Sequence, residues 1–147
     1  MLALDPDVEQ PVEIVDQQER WIASAMIIQQ YQFVSSAIYA LYWISDNPSR
    51  IIERAEDHAT VKARLFDRVA RCWELMGAQL RPGSYLLGED LSVLDHYVAT
   101  ASRWSPGRLR FYEVAPGLAE TVRRVDADPR LTAIWAERSP FTQGWER

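Results

Sequence analysis

Tyr85-Leu86-Leu87-Gly88-Glu89-Asp90-Leu91-Ser92-Val93-Leu94-Asp95-His96-Tyr97-Val98-Ala99 is the stretch on which the reading of this 147-residue chain turns. Gly88 permits a tight bend, because no Cβ excludes unusual backbone angles there. Leu91 stands just ahead of a helix start. Ser92 and Asp95 have the S-x-x-D spacing of a capping box, in which the serine oxygen answers free amides of the first turn and the acid reaches back to the cap's own N–H. The acid also meets the positive end of the helix dipole. Ser92 and Asp95 are therefore expected to be structural rather than catalytic, and loss of Ser92 is expected to cost about 0.5–2 kcal/mol, as for helix caps in general. The helix they open is expected to reach about Trp104.

Working outward, the pattern stays helical. Residues 1–15, with Pro6 and Pro11 among acids, read as an extended lead-in. Asp16-Gln17-Gln18-Glu19 has the D-x-x-E spacing of another capping box, and no Gly or Pro follows until beyond Trp43. Trp21, Ile22, Ala25, Ile28, Gln32, Ser35, Ser36 and Tyr39 recur at three- and four-residue steps, predicting one long helix over 16–43. Asn47-Pro48 ends it and starts a short helical turn within 49–57. A second long helix is predicted over 60–80, with Val61, Leu65, Val69, Cys72, Trp73, Met76 and Leu80 on one stripe. Short helices are expected over 108–114, 116–127 and from Asp128-Pro129 to about Glu137, followed by an irregular tail, 141–147. Strand alternation is nearly absent. The expected architecture is all-α: one helical domain over 16–140 with two long helices and several shorter ones.

Composition narrows the function. Hydrophobic residues make up 48% and charged residues 25% of the chain, with six Trp and six Tyr; disordered chains lack such aromatic content. The net charge of -5, with fifteen Arg and the single Lys62 scattered among acids, supplies no basic stripe for nucleic acid. No run approaches the ~20 apolar residues that cross a bilayer, and the acidic N-terminus lacks the pattern of a signal peptide. The expectation is a cytoplasmic protein with neither nucleic-acid nor membrane partners. Cys72 stands alone, so no disulfide framework or cysteine metal site is expected.

The string YLLGEDLSVLDHYVA resembles the C-terminal all-helical domain of the glutathione S-transferase family, where a buried helix begins with an N-capping box and hydrophobic staple. The likeness continues through Arg103-Trp104, Val114-Ala115-Pro116-Gly117-Leu118 and Arg124-Val125-Asp126-Ala127-Asp128-Pro129-Arg130-Leu131, and upstream through Phe33–Tyr39 and Pro48-Ser49-Arg50. It covers roughly residues 20–140. Leu94 departs from the family's usual alanine, and His96 takes the place of the staple partner expected for Leu91. The family's N-terminal thioredoxin-like half, which activates the glutathione thiol, has no counterpart, since residues 1–15 are too short for a βαβ unit. The resemblance implies the helical half of a glutathione transferase, catalytically incomplete alone. No cofactor is bound by this chain by itself; glutathione is the co-substrate once a thioredoxin-like domain or chain is supplied. Self-association, as a dimer, and a small hydrophobic ligand are the other implied partners. The alternative is a non-catalytic protein-interaction or apolar-ligand-binding module.

By the same resemblance, the end of the first long helix lines the hydrophobic-substrate pocket, which nominates Tyr39, Tyr42 and Trp43, with Trp104 approaching from the Ser92 helix. Tyr and Trp offer an apolar face with one polar handle, although core packing would use the same residue types. No residue is nominated as catalytic. His58 and His96 lack partners at metal-ligand spacing, and no metal site is expected. Cys72 reads as a small core residue, and Arg103, Arg108 and Arg110 read as a solvated basic face, with an anionic ligand as the alternative.

Overall fold

The computed structural model describes residues 12–146, and within them the chain is all-α, with no strand and only an isolated bridge between Tyr85 and Gly88. The elements are α1 (Val12–Phe33), a π-helical segment (Val34–Ile38), α2 (Tyr39–Asp46), 3-10 turns at Pro48–Arg50 and Ala55–Asp57, and α3 (His58–Gln79). They are followed by α4 (Val93–Ala101), α5 (Arg108–Val114), α6 (Pro116–Asp126), a 3-10 turn at Pro129–Leu131 and α7 (Thr132–Arg138).

The first predicted rod is present but begins earlier. Helix α1 already runs through Val12-Glu13-Ile14-Val15, so Asp16 lies inside the helix and does not cap it. A D-x-x-E pair permits a helix start without imposing one, and nothing between Val12 and Asp16 breaks the backbone ladder. The rest of the expected lead-in, residues 1–11, lies outside the described residues. The rod is also not uniform. Gln30, Val34 and Ile38 are buried at strict four-residue steps, and such a step drifts about 40° per turn in an α-helix of 3.6 residues per turn. The wider i→i+5 turn of the π segment reduces that drift. Ser35 and Ser36 both donate their hydroxyls to the Gln32 carbonyl there, at 3.2 and 2.6 Å, as serines do where a helix departs from α geometry.

Helix α3 is the central packing element. Val69, Ala70, Trp73 and Met76 are buried along it, with Leu80 just beyond, while Val61, Leu65 and Cys72 on the same stripe are half-buried. The Trp73 ring meets Phe111 of α5 edge-on, centroids 5.1 Å apart. Leu94 and Val98 of α4, Leu118, Val122 and Val125 of α6, and Leu131 and Trp135 complete one core. The decisive stretch behaves as its spacing requires. Asp95 is fully buried; its Oδ2 accepts from Ser92 N and Oγ at 2.8 and 2.6 Å, and its Oδ1 accepts from Leu86 N at 2.8 Å. One carboxylate thus completes the capping box and anchors the preceding loop. Gly88 has φ 142°, a conformation open to glycine and strained for other residues. Leu91 packs against the core although His96 replaces its staple partner. Asn47 caps its 3-10 turn by accepting from Ser49 N and Oγ, and Asp128 accepts from Arg130 N.

Candidate functional site: an aromatic wall between the first rod and α4

Three of the four nominated aromatic residues meet. Trp104, three residues past α4, stacks on Tyr42 with centroids 5.1 Å apart and planes at 20°. It also receives the edge of Tyr39 at 5.6 Å and 66°. Tyr39 and Tyr42 stand three apart on α2 and so share a face. Core packing and exposure coexist here: Trp104 and Tyr42 are half-buried, while Tyr39 is 48% exposed. Trp43 stands apart although it lies one turn from Tyr39 on α2. It is 44% exposed, with the Arg50 guanidinium 4.6 Å above its ring and an Arg50 amino group donating to its carbonyl.

The wall is longer than the sequence indicated. Tyr31 of α1 lies against Tyr97 of α4, centroids 4.5 Å apart. Burial, followed by the neighbouring phenols of Tyr31 and Tyr39, raises the Tyr97 phenol above its ordinary value. Tyr31, Val93, His96, Tyr97 and Thr100 line a shallow recess of about 240 Å³. Tyr97 sits five residues past the cap of α4, and its helical position alone does not reveal that α1 crosses there. The strip offers π faces and phenolic hydroxyls, a surface suited to a flat apolar molecule.

The remaining candidates take other roles. Arg103, Arg108 and Arg110 do not form a solvated face. Arg108 is fully buried; it pairs with Asp126 at 2.7 Å and donates to the Ala99 carbonyl at 2.6 Å. Arg103 donates to the carbonyls of Ser139 and Pro140 at 2.5 and 3.1 Å. Only Arg110 behaves as expected, pairing at the surface with Glu113. Asp126 lies 18 residues from Arg108, and Ser139 36 residues from Arg103, beyond the reach of local patterning. Burial raises the Cys72 thiol above its ordinary value, against the influence of Arg68, which disfavours a thiolate nucleophile. His58 contacts the Ile52 carbonyl at 2.9 Å. Among the described residues no helix is long and apolar enough to cross a membrane.

Neither a family model, nor a curated protein, nor a solved structure matches this chain.

Proposed function

We propose that this chain is the helical half of a glutathione S-transferase-like protein, whose aromatic wall holds a flat apolar electrophile beside a thioredoxin-like unit. The observation that carries this reading is the meeting of Tyr39, Tyr42 and Trp104, three of the four residues that the family resemblance nominates. The glutathione thiol would be held and activated by the thioredoxin-like unit, on the same polypeptide or another. The contribution of this chain is positioning of the electrophile and exclusion of water, which lowers the entropic part of the barrier. Asp95 is committed to its cap and takes no part in the chemistry.

A second reading, a non-catalytic assembly module, is favoured by the exposure of Ile22, Met26 and Ile28 on α1; such side chains in a soluble protein call for a covering partner. The two readings part in one experiment. Conjugation of glutathione to 1-chloro-2,4-dinitrobenzene is measured with the polypeptide isolated at its native mass from its source cells, beside Tyr39→Ala and Trp104→Ala variants of that same polypeptide. The transferase reading requires conjugation whose electrophile KM rises about tenfold in both variants, with the glutathione KM unchanged. Stable self-association with no response to glutathione favours the assembly module.

A further inference from the structure

A second cavity, lined by residues other than those of the aromatic wall, lies beside the C-terminal segment. After α7 the chain turns back across α5, where Leu109 N donates to the Glu146 carbonyl at 2.9 Å. Arg103 holds this returning segment through its bonds to Ser139 and Pro140, and its guanidinium lies 4.8 Å from the ring centroids of both Phe141 and Trp145. Between α6, α7 and the segment lies a cavity of about 430 Å³, walled by Asp126, Thr132, Trp135, Ala136 and Phe141. That volume falls among those of small-molecule sites, roughly 300–1,000 Å³. A recess of about 280 Å³, reaching Tyr112 and Trp145, shares the Asp126 and Phe141 walls.

The chemistry of the walls narrows the ligand. The carboxylate of Asp126 is engaged at both oxygens by Arg108, at 2.7 and 3.3 Å, so its charge is answered internally and does not call for an ionic ligand. Burial also raises this carboxyl above its ordinary value, against the pull of Arg108. Phe141 is 42% exposed although it lies between Trp135 and Trp145, at 5.9 and 4.8 Å; a ring so placed has apolar surface left to cover. Trp135, a wall of the cavity, has a buried indole N–H without an acceptor, a costly state that an oxygen reaching it would relieve.

We propose that this cavity binds a neutral bicyclic aromatic molecule bearing a carbonyl or hydroxyl oxygen, packed against Trp135 and Phe141. Equilibrium dialysis of the full chain against 2-acetylnaphthalene tests it. One molecule per chain is expected at this cavity, in addition to any uptake at the aromatic wall that Tyr39→Ala removes. Ala136→Trp, which fills the cavity from an exposed position, should weaken binding at least tenfold, and Thr132→Phe, at a second exposed wall position, should do the same. Trp135→Phe, which keeps a ring and removes the N–H, should weaken it several-fold. Tyr39→Ala and Trp104→Phe should leave it within twofold. Near-ultraviolet circular dichroism identifies the folded variants on which the comparison is made. The proposal is overturned if the folded wild-type chain takes up no probe at its solubility limit. It is overturned equally if folded filling variants bind as tightly as wild type, or if Tyr39→Ala abolishes uptake.

Discussion

Arg108 is removed from water, and its charge is answered inside the molecule by Asp126 and by the Ala99 carbonyl. Deleting one member of such a pair strands the other, at a cost of about 3–5 kcal/mol, whereas replacing both by apolar side chains of similar volume is often neutral. Arg108→Met is therefore expected to lose stability on that scale in urea unfolding, and Arg108→Met with Asp126→Leu to recover most of the loss. Equal losses in single and double variants would show that the packing of the two side chains, and not their charge, is what matters. Asp128, itself buried, is shifted in the opposite sense to Asp126. Hydrogen bonds from the Arg130 side chain and then from its backbone N–H hold its carboxyl at about 2, below the ordinary 3.8. A lowered value means stability that is present above 3.8 and lost as the pH falls towards 2. Asp128→Asn keeps an acceptor for the turn but cannot titrate, so its melting temperature should fall less steeply than wild type across that interval.

At the scale of elements, the contact between α3 and the α5–α6 junction is close enough to limit the residue at Gly77. A Cβ there would lie 3.3 Å from the Ala115 Cβ and 3.4 Å from its Cα. Alanine gains up to about 1 kcal/mol of helix propensity over glycine, against a contact that Ala115 must relieve by a few tenths of an ångström. Gly77→Ala is expected to leave the urea midpoint nearly unchanged. Gly77→Val brings two further methyl groups into that junction and is expected to cost about 1–3 kcal/mol, the usual range for overpacking; a valine variant as stable as wild type would mean that α5 and α6 yield freely. The π segment acts at the same scale, since it keeps Gln30, Val34 and Ile38 on the core side of the rod while α2 delivers Tyr39 and Tyr42 to Trp104.

For the molecule as a whole, one core joins α3 to α4–α7, and the first rod leans on it through its C-terminal portion. Further up α1, Ile22 and Ile28 are 55% and 58% exposed, with Met26 between them. The wild-type chain is expected to sediment as a species heavier than its 16.9 kDa monomer, and Ile22→Lys with Ile28→Lys to return it to monomer at the same concentration. A monomeric wild type at all concentrations would remove self-association as the cover for these side chains.

The amino-acid sequence determined the features that are local. Helix periodicity, the Ser92–Asp95 box, the Gly88 bend and the Asn47-Pro48 and Asp128-Pro129 starts all act within a few residues. Most elements therefore form near their predicted bounds, α5 over the predicted 108–114, although α4 ends at Ala101, short of the expected Trp104. Where the signal was permissive, as with Asp16 to Glu19, the helix continued past it. Tyr39, Tyr42 and Trp104 were legible as candidates because the family resemblance pointed to them. That they touch, that Trp43 does not join them, and that Tyr31 and Tyr97 extend the strip were decided only by how the rod crosses α4. The same holds for Arg108 and Arg103, whose partners lie far along the chain. A charge close in sequence to other charges reads as surface, and only tertiary packing, by removing water and supplying Asp126, makes it a buried ion pair.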